Sequence, residues 1–362
     1  MNALRWIRIP WVVLVASSAL LAAMFIADYI TGPSFTFSLF YLAPILLVTW
    51  FARKEIGLLF CVLSAAAMLV VDITGGTSSR ITAWNLGIRM GYLLVVWWLV
   101  ARVRLHYGGL AQTVRERNAA LAVASEIQSR FTPRSLAEIP GVEIAFSYQP
   151  AVWVGGDYCD VWMLHNGRMA LAVGDVAGKG LPAALVMVSL QAALRNTMAI
   201  YDSPADVLAR VDEFLTGHLP EYMFVTLFLA VYNPADGRLL CANAGHPMPF
   251  IVSPGKSVAP LDMPVSVPLG LSGIDLGSVK ISDTKLERSD TLVIVSDGIA
   301  DTRSPHGEMF GLDRLQRVLA TTGGSSARET VQAVIGAVSK FRGTASQEDD
   351  VTLLALHATR KD

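Results

Sequence analysis

Four apolar stretches crowd the front of this 362-residue chain, and they constrain its fold more than anything that follows. They run Pro10–Ile30, Phe35–Ala52, Ile56–Ile73 and Thr82–Ala101, each 18 to 21 residues long. A helix needs ~20 apolar residues to cross a ~30 Å hydrocarbon core. The breaks carry turn formers: Thr31-Gly-Pro33, Arg53-Lys-Glu55 and Thr74-Gly-Gly-Thr-Ser-Ser79. The pattern predicts an all-α bundle of four transmembrane helices over residues 1–102. Arg5 and Arg8, Arg53 and Lys54, and Arg102 and Arg104 fall on one side of that bundle, against Arg80 on the other. The excess of basic residues on cytoplasmic loops puts both ends inside the cell, and with them everything downstream. The rival for the first stretch is a cleaved signal peptide with Arg5 and Arg8 as its charged leader. Asp28, Asp72 and Arg89 fall in the outer half, where charges either cluster into a site or reach the interface.

Past the fourth stretch the pattern turns polar and helical. Over residues 103–135, Leu110, Val114, Leu121, Ile127 and Phe131 recur at near-heptad spacing. This linker is a candidate parallel coiled coil, and so a homodimer contact between two anchored chains. A helix packed on its own domain is the rival. Thr132-Pro133 is the expected stop, and Ser135 with Glu138 is a weak capping-box signal.

Residues 136–362 read as short strands and turns interrupted by pairs of helices. Expected strands are Val142–Tyr148, Asp157–Leu164, Met169–Asp175, Phe224–Tyr232, Leu239–Asn243, Phe250–Ser253, Thr291–Ser296 and Val351–His357. Expected helices are Leu181–Met198, Pro204–His218, Leu312–Thr321 and Ser326–Phe341, and the proline-rich Val258–Pro268 is read as a loop. Strands joined as hairpins, with helices inserted in pairs, point to an α+β domain of antiparallel sheets covered by helices.

The stretch Gly174-Asp-Val-Ala-Gly-Lys-Gly-Leu-Pro-Ala-Ala-Leu185 tempts a nucleotide-loop reading, which fails. Three residues separate Gly174 from Gly178 where a phosphate loop has four, and Gly180 follows Lys179 where a hydroxyl is needed. Asp175 instead belongs with other strand-end carboxylates. Asp157 sits in Val154-Gly-Gly-Asp-Tyr-Cys-Asp160, Asp297 follows the apolar run Leu292–Ser296, and Asp349 and Asp350 open Val351–Leu354. Gathered on one rim without a cation, they would repel one another and pay for desolvation. Hard divalent cations that take oxygen ligands, magnesium or manganese, resolve that conflict.

Several classes drop out. Lys+Arg total 29 against Asp+Glu 30, so no basic face predicts a nucleic-acid partner. A cysteine phosphatase needs Cys, five residues, Arg, and Ala67, His165 and Pro247 stand at the required positions after Cys61, Cys159 and Cys241. No Gly-x-Ser-x-Gly hydrolase elbow is present.

The segments GGDYCDVW, GDVAGKGLPAALVM, FVTLFLAVYNP, NAGHPMPF, SDGIAD and EDDVTLLAL occur in this order. Together they resemble the successive motifs of the SpoIIE-type branch of metal-dependent (PPM, protein phosphatase 2C-like) Ser/Thr phosphatases. The resemblance spans about residues 125–358. It implies a β-sandwich flanked by helix pairs, with a two-metal centre of Mn2+ or Mg2+. Carried over by motif, Asp175 bridges both metals, assisted by the Val176 carbonyl. Asp297 and Asp349 bind one metal, with Asp350 as second choice to Asp349, and Asp157 holds the other. The implied substrate is a phosphoserine or phosphothreonine protein, often a STAS-type anti-sigma-factor antagonist. Cys159 stands where that family usually has an aromatic residue. Lys179 reads as a solvated lysine ahead of a phosphate contact, and His246 as a core or turn histidine ahead of a catalyst. The rival from another class is a catalytically silent sensor or binding module of the same fold.

Overall fold

The computed structural model describes residues 5–31, 37–131, 139–165, 167–255, 257–271 and 279–359. The expected stop at Thr132-Pro133 and the Ser135–Glu138 cap lie outside them. By internal packing the chain divides into Met1–Arg117 and Asn118–Asp362.

The first unit is helical: α1 (Arg5–Thr31), α2 (Leu42–Phe51), α3 (Lys54–Thr74) and the front of α4 (Ser79–Gln128). Three of these helices are long and apolar enough to cross a membrane, not four. The stretch expected as the second span folds as the ten-residue α2, which rises only ~15 Å. Its chain is spent on turns at Ser38–Tyr41, and Pro44, which has no N–H to bond back to an earlier turn, sits in the first turn of the helix. Contacts to α4 nevertheless mark two depths. The Tyr92 hydroxyl donates to the Ser38 carbonyl at 2.8 Å, and Arg104 donates to the Thr49 carbonyl at 2.7 Å. Ile45, Val48, Phe60, Cys61, Ala65 and Leu93 form the core of the unit. Of the expected charged cluster, Arg89 and Asp72 pair at 3.0 Å with Asn85 also on Asp72, while Asp28 takes the Tyr41 hydroxyl at 3.3 Å.

Helix α4 continues unbroken for 50 residues, through Gly108-Gly109, to Gln128. Val114, Val123 and Ile127 on its polar half are exposed.

The second unit is a β-sandwich of two five-stranded antiparallel sheets. Its strands are β1 (Val142–Gln149), β2 (Tyr158–Met163), β3 (Met169–Val176), β4 (Val225–Tyr232), β5 (Arg238–Ala244), β6 (Phe250–Ser253), β7 (Ser257–Pro260), β8 (Ser282–Lys285), β9 (Thr291–Val295) and β10 (Val351–Ala358). One sheet has the order β1-β10-β9-β6-β7 and the other β2-β3-β4-β5-β8. The helices are α5 (Leu181–Met198), α6 (Pro204–Thr216), the short α7 (Asp297–Asp301), α8 (Gly311–Ala320) and α9 (Ala327–Arg342).

The pattern of the central strands explains the layering. β10 is buried at every position, and β3 at all but Asp175. A strand buried on both faces reads as a continuous apolar run, not an alternation. Leu171, Val173, Phe228, Ile294, Leu354 and Leu356 fill the space between the sheets. Met187, Leu190, Leu194, Val207 and Val211 of α5 and α6 cover the outer face of one sheet. Leu315, Leu319, Val331, Val334 and Val338 of α8 and α9 cover the other. The expected α+β sandwich with flanking helix pairs is what forms. Val258–Pro260, the front of the stretch expected as a loop, belongs instead to the edge strand β7, a place where proline is tolerated. A full capping box at Ser326 and Glu329 starts α9.

Candidate metal centre

Strand register alone gathers the carboxylates. β2 and β3 pair with Tyr158 opposite Gly174, so one step further Asp157 faces Asp175. β10 and β9 pair with Leu353 opposite Val295, so the chain leaving β9 at Asp297 meets the chain entering β10 at Asp349 and Asp350. The two sheets are tied together at this rim, where Thr352 Oγ1 of β10 donates to Asp157 Oδ2. Within the second sheet, the Val176 N–H donates to the Gly156 carbonyl at 3.4 Å and extends the β2–β3 pairing past Asp157.

Each acidic residue has its own environment. Asp157 is buried, and burial with the neighbouring Asp175 charge raises its carboxyl well above the usual range. Burial, then the charges of Asp297, Asp349 and Asp350, pushes Asp175 up to about 7. Asp297 is raised by burial and by Asp349. Asp349 is half exposed, and its Oδ2 pairs with Lys179 Nζ at 3.1 Å. Lys179 also donates to the Glu348 carbonyl and is itself 60% exposed, so it is a solvated lysine held to the rim.

Asp350 differs from its neighbour. Its Oδ1 accepts from Ala151 N at 2.8 Å, and its Oδ2 from Gly156 N at 2.7 Å and Asp157 N at 3.4 Å. The carboxylate is occupied in holding the loop that carries Asp157. A Cβ built on Gly155 would lie 2.2 Å from Asp350 Oδ2, so only glycine lets the loop pass so close.

Two buried polar residues that the motifs do not single out hold the elements around this rim. Gln128, the last residue of α4, is buried and grips Gly155 at both ends. Its Nε2 donates to the Gly155 carbonyl at 2.7 Å, and its Oε1 accepts the Gly155 N–H at 3.1 Å. Gln128→Ala is expected to destabilise the sandwich unit by about 1–3 kcal/mol, because both backbone groups lose their partner. Chemical denaturation of the two proteins checks this. The other residue is Asp160, buried and bonded to Arg195 at 2.8 and 2.9 Å, to Tyr158 and to Gln191. It clamps β2 to α5 and stands apart from the rim.

His246 is a core residue, as its turn position suggested. It is buried, its Nδ1 is 3.1 Å from Thr226 Oγ1, and burial lowers its pKa to about 3, so it is neutral at ordinary pH. Cys159 and Cys241 are buried free thiols, pushed up by burial, Cys241 to about 12.

Among the described residues no three His, Cys, Asp or Glu side chains stand close enough together to hold one metal ion as they are. The donor chemistry is what fits a cation. Every candidate ligand is an oxygen, and three of the carboxylates are held above their normal pKa by burial and one another. A hard divalent ion, which prefers oxygen ligands, would remove that cost.

Residues 165–359 match the family described as Stage II sporulation protein E (SpoIIE). This chain belongs to that family. Its SpoIIE-type phosphatase domain is similar to "Phosphoserine phosphatase RsbU" of Bacillus subtilis, 27% identical over 68% of this chain and 72% of RsbU. It is also similar to "Protein IcfG" of a Synechocystis species, 28% identical over 68% of this chain, a match that spans only 43% of IcfG. In fold the SpoIIE-type domain resembles the SiaA-PP2C domain of Pseudomonas aeruginosa, with a TM-score of 0.61 at 24% identity over 68% of this chain and 99% of that one.

Proposed function

We propose that this chain is a membrane-anchored, metal-dependent protein phosphatase with its catalytic domain in the cytoplasm of a bacterium. It removes phosphate from phosphoserine or phosphothreonine of a signalling protein. The observation that carries the reading is the oxygen-only rim of Asp157, Asp175, Asp297 and Asp349, assembled by strand register inside a SpoIIE-family domain. Asp175 with the Val176 carbonyl, Asp297, Asp349 and Asp157 would hold two Mn2+ or Mg2+ ions, Asp175 being the carboxylate that would serve both. Bound, such ions supply an activated water and neutralise charge on the phosphoryl oxygens. Asp350 positions the Asp157 loop, Thr352 orients the Asp157 carboxylate, and Lys179 steadies Asp349.

RsbU is named a phosphoserine phosphatase. That supports a phosphoprotein substrate here, and a STAS-type anti-sigma-factor antagonist is the proposed class. The exposed apolar residues of α4, Val114, Val123 and Ile127, support a homodimer through that helix. The three apolar helices support the membrane anchor.

The test is hydrolysis of an aryl phosphate, then of a phosphoserine protein, by the full chain in detergent with manganese. Turnover that vanishes with chelator supports the reading. Divalent-ion binding without turnover on either substrate would leave a silent module of the same fold.

The adjacent aspartates give a sharper test. Asp349→Asn is expected to leave stability within about 0.5 kcal/mol, because the side chain is half exposed. Asp350→Asn is expected to cost about 1–3 kcal/mol, because an amide NH2 cannot accept from the Ala151 and Gly156 N–H groups as a carboxylate does. Activity at saturating manganese falls further in Asp349→Asn. The reverse ranking would make Asp350 the ligand.

A further inference from the structure

A cavity of about 610 Å3 lies inside the first unit, where the end of α2 and the start of α3 meet α4. Arg53, Lys54 and Arg104 line it against a single acid, Glu55, and Ala101 and Leu105 give it an apolar wall. Around it runs a band of aromatic and basic side chains. Trp50 and Tyr107 meet edge to face at 6.4 Å, Arg102 sits over the Trp98 ring at 5.6 Å, and Trp97 Nε1 donates to the Lys54 carbonyl at 2.7 Å. Trp50, Trp98 and Tyr107 are exposed. Tryptophan and tyrosine interleaved with arginine and lysine at the end of apolar helices mark the headgroup level of a bilayer. The cavity therefore opens at that level and is cationic, next to helix surfaces that are apolar and exposed.

We propose that this pocket binds the phosphate headgroup of an anionic phospholipid. The inference rests on the reading that these helices cross a membrane, and it is independent of the phosphatase reading. Arginine forks match phosphate oxygens, and lysine adds a point charge. Basic pockets between spanning helices at the headgroup level suit anionic lipid heads. Exposed Phe51, Trp98 and Leu105 offer acyl chains an apolar surface beside the head. Arg104 is part of the frame as well as the lining, because it also holds the Thr49 carbonyl. Arg53 and Lys54 are exposed and suit substitution.

The test is native mass spectrometry of the full chain released from nanodiscs of phosphatidylcholine mixed with phosphatidylglycerol. The parent is expected to retain phosphatidylglycerol preferentially. In the Arg53→Gln/Lys54→Gln double variant that preference is expected to fall roughly 25-fold, about fivefold for each interfacial cation. Glu55→Gln, which removes the only acid lining the pocket, is expected to raise retention, and it stands as evidence even if the double variant misfolds. No preference in the parent overturns the proposal, as does an unchanged preference in the double variant or lowered retention in Glu55→Gln. Millimolar sodium phosphate or glycerol phosphate forms the last arm. If either strips the lipid stoichiometrically, the pocket is a site for soluble anions and the lipid assignment fails. Persistence of the bound lipid supports it.

Discussion

Asp175→Asn is expected to lower phosphomonoester hydrolysis by on the order of a thousandfold while leaving the fold intact. The neutral amide cannot balance divalent charge at the position shared by the proposed ions. The same change should stabilise the metal-free protein at alkaline pH. Asp175 has its pKa raised from 3.8 to about 7, by burial first and then by Asp297, Asp349 and Asp350. A carboxyl whose folded pKa is raised binds its proton more tightly folded than unfolded. In chelator, its contribution is therefore most favourable below the unfolded value, is lost as pH rises from about 4 to about 7, and stays unfavourable above. Melting curves in EDTA should show the parent losing stability across that window and Asp175→Asn losing less. Manganese at pH 8 should raise the melting temperature of the parent and not of the variant. Full activity in Asp175→Asn at saturating manganese would overturn the assignment.

Gly298→Ala is expected to be the most damaging single-methyl change in the domain. Its Cβ would lie 1.9 Å from the Asp350 carbonyl oxygen and 3.5 Å from the Asp349 Cβ. The first contact is backbone, so no side-chain rotation relieves it. Either α7 or the turn entering β10 must move, and both carry candidate ligands. Overpacking of this kind costs about 1–3 kcal/mol. Displacing Asp297 relative to Asp349 should also reduce turnover at least about a hundredfold, as small misplacements at a reacting centre do. Urea denaturation together with manganese-dependent turnover checks both parts. Near-parental values in the two assays would mean the rim is far more pliable than its contacts imply.

The sandwich was legible because its central strands are long, apolar and bounded by turn formers. Met169–Val176 and Val351–Ala358 had little else to become. The short edge strands β7 and β8 were not legible. β7 is four residues that end in a proline and β8 is four polar residues, so neither carries an apolar pattern, and pairing with a neighbour decides their state. The acidic set was legible through its strand-end positions. The division of labour between Asp349 and Asp350 was not, because adjacent aspartates look alike until a distant loop, Ala151–Asp157, takes one of them. Gln128 was hidden for a similar reason, since its partner Gly155 lies 27 residues away, beyond the whole of β1. In the first unit, apolar length alone overcounted the spans. Hydropathy does not register that part of the second stretch is used to turn the chain before α2 begins.

The pairing of β1 with β10 joins residues 142–149 to residues 351–358, and β10 is a central strand of its sheet. On the ribosome, β1 therefore emerges roughly 200 residues before its partner, and at ordinary elongation rates of ~5–20 residues per second it waits on the order of ten seconds or more. Through that interval Asp157 lacks Thr352, and the 151–157 loop lacks Asp350. Synthesis is thus its own timer. A nascent or prematurely terminated chain has Asp157 and Asp175 without Asp349, so on the proposed ligand set it cannot act before it is finished. The waiting strand also has unpaired backbone groups, which makes these seconds the period in which the polypeptide is most exposed to aggregation and most dependent on chaperones.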